Sequence, residues 1–246
     1  MPRTPWFIDA FTADYLEVYA HRDEAAAARE VRGALGLLEH EGGQHRLLDL
    51  AAGAGRHSLA MAAEGCDVTC LDLSADLTER CAALGLRTVR ADMRQLPWRD
   101  WAFDRVTCLF SSFGYFETDE QHLGVLREIA RVLAPGGRAL IDLMDPDTVE
   151  RKLVPQSVDV LPGGAVVEVE RSLVRGGERV EKHIHYVKNG QGGKRWSESV
   201  RLFRGPEIEA MTRAAGFEIE RTVGDYDGRA HVPGETRRLL VLRVDR

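Results

Sequence analysis

Between residues 46 and 143, short apolar runs alternate with segments of helical periodicity. The runs are Arg46–Leu50, Asp67–Leu71, Thr88–Arg90, Arg105–Leu109 and Arg138–Leu143. Runs this continuous suit parallel strands buried on both faces. Helix signals fall between them. Ser74 opens one helix, and Thr118-x-x-Gln121 forms a capping box ahead of Leu123, Leu126, Ile129, Ala130 and Leu133. The alternation predicts a doubly wound α/β sheet with right-handed crossovers.

The flanks follow other patterns. Residues up to about Glu39 read as helical, with Asp23 placed to cap a helix whose Val31, Leu35 and Leu38 share a face, and Gly42-Gly43 placed to stop it. The pattern changes after Asp145-Pro146. Runs near Ala165–Val174, Arg179–Lys188 and Lys194–Phe203 are rich in β-formers, separated by Gly176-Gly177 and by Asn189-Gly190 with Gly192-Gly193, which predicts an antiparallel meander. Helix resumes at Pro206 and ends near Gly216; Phe217–Val223 and Thr236–Val244 read as closing strands.

Composition narrows the class. The 246 residues are 44% hydrophobic and 29% charged, which fits one globular domain. A formal net charge of −6 argues against a protein held on nucleic acid by phosphate contacts. No apolar run is long enough to span a bilayer, and the N-terminus lacks the apolar core of a secretory signal, so a cytoplasmic protein with no membrane partner is expected. Cys66, Cys70, Cys81 and Cys108 form no CxxC pair and sit in or beside apolar segments, as buried thiols do.

Ligands of open α/β sheets bind beyond the carboxyl ends of the strands. The small-residue loop Ala51–Gly55 follows the first strand and lets a ligand approach the backbone closely. The helix behind it, entered at Arg56, presents free N–H groups suited to carboxylate atoms. Asp72 ends the second strand, where a carboxylate can accept two ribose hydroxyls. Asp92 follows the third, placed to accept from an adenine amino group with Met93 packed on the ring. Gly53-x-Gly55-x-x-Ser58 also approaches a dinucleotide fingerprint, so a nicotinamide-dependent oxidoreductase stands as an alternative. Against it, the third glycine is missing and Asp92 goes unexplained.

The stretch Asp49-Leu50-Ala51-Ala52-Gly53-Ala54-Gly55 resembles the first motif, D-x-G-x-G-x-G, of the class I seven-stranded S-adenosylmethionine-dependent methyltransferases, with Ala51 where the first glycine is usual. Alanine there is unstrained only at negative φ. Asp72 fits the family's ribose position, Ala91-Asp92-Met93 its adenine position, and Leu133-Ala134-Pro135-Gly136-Gly137 the turn before its fifth strand. The resemblance implies S-adenosylmethionine as cofactor and a last strand inserted antiparallel between its neighbours. It also implies a division into an N-terminal helical lid (1–40), a cofactor-binding core (41–149), a β insertion capping the substrate (150–204), and a closing helix with two strands (205–246).

Such an enzyme needs no metal and no triad, because the cofactor carries its own activation. A small-molecule acceptor is expected, an amine or a hydroxyl, and a non-enzymatic S-adenosylmethionine-binding protein is the remaining alternative. The resemblance assigns Asp49, Ala51, Gly53, Gly55, Arg56, Asp72, Leu73, Asp92, Met93 and Phe110 to the cofactor, with Tyr19 closing over it. Phe110 begins the loop Phe110-Ser111-Ser112-Phe113-Gly114-Tyr115-Phe116, which lacks the Asn/Asp-Pro-Pro-Tyr/Phe motif of enzymes that methylate base or glutamine amide nitrogens. Tyr15, Phe113 and Tyr115 are candidates for the acceptor pocket. So are His185, which shares a strand face with His183, and Trp196 and Arg201 on the next strand. The turn Gly224–Gly228 is a candidate for the site's rim, and the meander's edge is a surface on which a homodimer would pair.

Overall fold

The computed structural model describes residues 5–19, 24–39, 45–188 and 191–244. Three helices open the chain: α1 (Trp6–Ala10), α2 (Ala13–Val18) and α3 (Glu24–Leu37). Strands β1 (Arg46–Leu50), β2 (Asp67–Asp72), β3 (Arg87–Arg90), β4 (Phe103–Cys108) and β5 (Leu133–Met144) follow, separated by α4 (Arg56–Ala63), α5 (Ala75–Ala83) and α6 (Asp119–Val132). After α7 (Pro146–Lys152) come β6 (Gln156–Val160), β7 (Val166–Val174), β8 (Arg179–Lys188) and β9 (Gln191–Arg201). Helix α8 (Gly205–Ala214), β10 (Phe217–Val223) and β11 (Arg237–Val244) close the chain.

The main sheet runs β10-β11-β5-β4-β1-β2-β3. Strands β1 to β5 pair in parallel, and β11 lies antiparallel between β5 and β10, Leu240 facing Ile141. This is the expected doubly wound sheet with its antiparallel strand. Leu47, Leu48, Val106, Ala139, Leu140 and Leu242 are all buried, which is why the strands read as unbroken apolar runs.

Local chemistry sets the helix limits. Ser74 caps α5 by accepting from Leu77 N–H, and Thr118 with Gln121 completes the capping box of α6. Helix α6 buries Val125, Leu126 and Ile129 against the sheet, each contributing roughly 1.5–3 kcal/mol over its exposed state. Gly33 on α3 permits close packing of the 225–228 turn: a Cβ there would stand 2.1 Å from the Tyr226 carbonyl oxygen. All four cysteines are buried and unpaired by disulfides.

The structure departs from the sequence reading at three places. The insertion has four strands, in the order β6-β7-β8-β9, because Gln156–Val160 adds to the β7 edge. Val158 and Val160 stay exposed there, so β6 carries no burial signal in the sequence. Asp145-Pro146 starts a helix: Asp145 accepts from Thr148 N–H and Pro146 enters the first turn. The Pro135-Gly136-Gly137 turn is looped out inside β5, between the Phe103–Leu133 and Arg105–Arg138 pairs. Asp23, Gly42-Gly43 and the Asn189-Gly190 turn lie outside the described residues.

Candidate active site

The loop after β1 is held from below. Asp49, buried in β1, accepts Ser58 Oγ at 2.6 Å on one oxygen and Thr107 Oγ1 at 2.8 Å on the other. Burial pushes its pKa up, and these two hydroxyls pull against it. Ala51 takes φ 53°, so the condition for an unstrained alanine is not met: Ala51 stands in the left-handed region that a glycine would occupy without strain. Gly53 also has positive φ, 61°, and a Cβ on it would meet nothing within 4 Å, so this face of the loop is open to a ligand. Gly55 differs. It is the N-cap of α4, packed so closely on Leu86 and Cys81 that its absent side chain serves packing, and it does not line the cavities.

Asp72 stands at the end of β2 with its carboxylate fixed by backbone donors, Gly53 N–H to one oxygen and Ser74 N–H to the other, each at 2.9 Å. Burial raises its pKa against those two bonds. Asp72, Leu73, Ala91, Asp92 and Met93 line one slot, so the second and third acidic positions do converge. Asp92 is already engaged: Arg94 Nε and Nη2 reach its two oxygens at 3.0 and 2.6 Å. Burial acts to raise the Asp92 pKa, but the Arg94 bonds outweigh it and hold the group low.

Aromatic rings from the N-terminal helices cover this rim. Phe11 stacks on Tyr115 at 5.5 Å, Tyr15 lies 4.9 Å from Phe11, and Tyr19 lies 4.5 Å from Tyr15. Ser74 Oγ donates to the Phe11 carbonyl at 2.6 Å, tying this N-terminal segment to the loop after Asp72. Three neighbouring cavities result. The slot at Asp72 is narrow, about 80 Å³. A second, about 240 Å³, lies over Asp49, Ala52 and Arg56. A third, about 720 Å³, opens toward the insertion. Tyr15 and Tyr115 line all three, so they stand where the cavities meet. Phe7, Phe11, Tyr15 and Tyr19 recur every four residues in the sequence, and the rings from Phe11 to Tyr19 meet edge-on or tilted.

The β4 loop is strained and anchored. Phe110 and Ser111 both take left-handed φ, 55° and 59°. Asp142 on β5 accepts Phe110 N–H at 2.8 Å and Tyr226 Oη at 3.0 Å, and pairs with Arg237. The Phe110 ring has Arg56 and Arg237 guanidinium groups 4.7 and 4.3 Å from its centroid. Tyr226 thus brings the 224–228 turn to Asp142 beneath this loop, where its hydroxyl is buried and does not line the cavities. Phe113 does not reach the cavities either. It is buried against Phe203 and His122.

The insertion presents one face to the large cavity. Arg171, Lys182 and Glu198 are cross-strand neighbours on β7, β8 and β9, and all three line it. Tyr19 Oη donates to Glu198 at 2.9 Å, Lys182 donates to Tyr19 Oη, and Lys182 Nζ lies 3.7 Å from Glu198. His183 and His185 share the opposite face, bonded to Ser197 and Glu168, because strand residues one apart point to opposite sides. Trp196 packs beside the Ile184 and Tyr186 cluster away from the large cavity. Arg201 is buried, pairing with Asp119 and Glu207 to tie the insertion to α6 and α8. Lys182 and Glu198 were missed because a charged pair on alternating strand positions reads like any solvated edge.

The donor set fits an adenosyl cofactor: a buried carboxylate at Asp72, an apolar slot at Ala91 and Met93, and an open glycine face at Gly53. The methyltransferase-domain family profile matches residues 47–137. Over 80% of this chain and 82% of the other, it is 30% identical to the cypemycin N-terminal methyltransferase of Streptomyces sp. It is 29% identical to the dTDP-3-amino-3,4,6-trideoxy-alpha-D-glucopyranose N,N-dimethyltransferase of Streptomyces venezuelae, over 89% and 96% of the two chains. The solved sugar N-methyltransferase KedS8 from Streptoalloteichus superposes with a TM-score of 0.75 at 25% identity, covering 100% of this chain and 98% of that one. The chain belongs to the class I S-adenosylmethionine-dependent methyltransferases. Its cofactor is S-adenosylmethionine, and the nicotinamide reading falls away. Among the described residues no helix is long and apolar enough to cross a membrane.

Proposed function

We propose that the protein methylates an amine nitrogen of a small-molecule acceptor bound in the 720 Å³ cavity. The observation that carries this reading is the Glu198 carboxylate, held by Tyr19 on the wall of that cavity. The relatives named above, whose names specify N-methylation of sugars or methylation at the N-terminus of cypemycin, support it.

The residues divide the work. Asp72 would hold the ribose hydroxyls, Asp92 and Met93 the adenine, and the Gly53 face with Asp49 and Arg56 beneath and beside it the amino-acid tail. S-adenosylmethionine supplies a methyl group made electrophilic by its sulfonium. The chain supplies position, which is worth about 7–11 kcal/mol when two reactants are held in line. Tyr15 and Tyr115 shape the passage between cofactor and acceptor. An amine arrives protonated and must lose a proton before its lone pair can attack. The Glu198 carboxylate receives the ammonium and takes that proton, while Tyr19 and Lys182 fix its orientation.

Mass-spectrometric detection of methylated products after incubation with S-adenosylmethionine tests the reading. The panel holds amino sugars, amino acids and short peptides beside matched hydroxyl compounds. Products from amines are expected. Methylation of hydroxyls alone would overturn the proposal.

A further inference from the structure

Five charged side chains line the large cavity: Lys152, Arg171, Lys182, Glu198 and Arg237. Three are internally compensated. Lys182 meets Glu198, and Arg237 meets Asp142. Among the described residues, neither Lys152 nor Arg171 pairs with a carboxylate. The cavity wall therefore carries two uncompensated positive charges at one end, in a chain whose net charge is −6.

Their placement is specific. Arg171 Nη1 donates to the Val154 carbonyl at 3.3 Å and to Ser157 Oγ at 3.1 Å. Both partners are neutral, and both come from the segment that starts β6. They orient the guanidinium and leave Nε and Nη2 without a described partner. Lys152, in the last turn of α7, precedes that same segment by two residues. An oriented fork beside a point charge is the arrangement that receives a phosphate or carboxylate. Register fixes the distance to the amine end. Arg171 faces Lys182, and Lys182 faces Glu198, so the backbones of Arg171 and Glu198 sit two strand spacings apart, roughly 10 Å, with the guanidinium bonded toward β6 on the far side.

We propose that Arg171 and Lys152 form the subsite for an anionic group of the acceptor, so that the substrate is a small amine bearing a phosphate or carboxylate roughly 10 Å or more from the nitrogen it presents to Glu198. The amine end of this statement rests on the N-methylation proposed above; the anion end does not. The edge strand β6, unforeseen from sequence, acquires a purpose: it supplies Ser157, which holds Arg171 in place.

The test is calorimetric titration of the protein, saturated with S-adenosylhomocysteine, with inorganic pyrophosphate and separately with succinate, ionic strength held constant with sodium chloride. Binding of one or both anions is expected, weakened about tenfold or more in the K152Q/R171Q double variant. Pyrophosphate binding the tighter points to a phosphate ester, succinate to a carboxylate. Unchanged S-adenosylhomocysteine affinity shows the variant is folded, and R171K should recover part of the anion affinity. Failure of both anions to bind above chloride, or equal binding by the double variant, overturns the proposal. An amine panel with no product would sink the N-methylation reading and leave this measurement standing.

Discussion

Asp142 holds Phe110 in place from the neighbouring strand: its Oδ2 accepts the Phe110 N–H at 2.8 Å, at the first of two consecutive left-handed residues. The same oxygen takes the Tyr226 hydroxyl and pairs with Arg237. One buried carboxylate therefore stabilises a strained loop that borders all three cavities. Asp142→Asn keeps an acceptor for the N–H but leaves Arg237 without its countercharge. A loss of about 3 kcal/mol is expected, typical of breaking a buried ion pair. Urea unfolding should show it as a lower midpoint at unchanged slope, together with slower methyl transfer. An unchanged midpoint would mean that the loop holds itself.

Ala51 offers the opposite experiment. A left-handed alanine costs roughly 1–2 kcal/mol, and glycine removes that strain while adding some freedom to the unfolded chain. Ala51→Gly should stabilise the protein by about 1 kcal/mol, read as a higher melting temperature. Because Ala51 lines the slot at Asp72 proposed for the cofactor, affinity for S-adenosylhomocysteine should hold or improve. Destabilisation would show that the methyl's packing on the core outweighs the strain.

The central strands β1, β2, β4, β5 and β11 were legible because burial on both faces writes itself as apolar runs, and the caps at Ser74 and Thr118 because each is local chemistry. Asp49, Gly53, Asp72 and Asp92 could be placed from sequence because each lies in the last two residues of a strand or within three residues after it. The acceptor end was not. Whether His185 or Lys182 faces the cavity depends on the register and tilt of a sheet whose both faces carry polar residues, and alternation alone does not say which is inward. Arg201 looks like a ligand residue in sequence, and only the fold reveals Asp119 and Glu207 beside it.

His122 predicts a pH response. Its ring is fully buried between Phe113, Phe116 and Phe203, and neither ring nitrogen has a hydrogen-bond partner. Burial, with Arg179 adding to it and Asp119 opposing, lowers its pKa from 6.5 to about 4. Between those values the unfolded chain binds a proton that the native state refuses. Stability contributed by the neutral ring is therefore complete above pH 7 and declines as pH falls, by about 2 kcal/mol at pH 5. His122→Leu removes this dependence. The difference in unfolding free energy between the two proteins should shift by that amount between pH 7.5 and pH 5. A constant difference would mean that the ring takes up its proton equally readily in the folded and unfolded chains.

Asp72 and Glu198 should separate cofactor binding from acceptor chemistry. In the proposed cofactor pose Asp72 would offer an oxygen to each ribose hydroxyl while its backbone donors keep it fixed. Asp72→Asn loses the charge and turns one acceptor into a donor facing either Gly53 N–H or Ser74 N–H. Calorimetry should show S-adenosylhomocysteine bound about 10- to 100-fold more weakly, the size of charge-assisted hydrogen bonds lost. Glu198 lines only the large cavity, so Glu198→Gln should bind S-adenosylhomocysteine as the native protein does. Its turnover should fall instead, roughly 100-fold if the carboxylate takes the ammonium proton, and recover toward high pH as the amine deprotonates in solution. Recovery with pH is the decisive readout, because a side chain that merely packs would lower turnover equally at every pH.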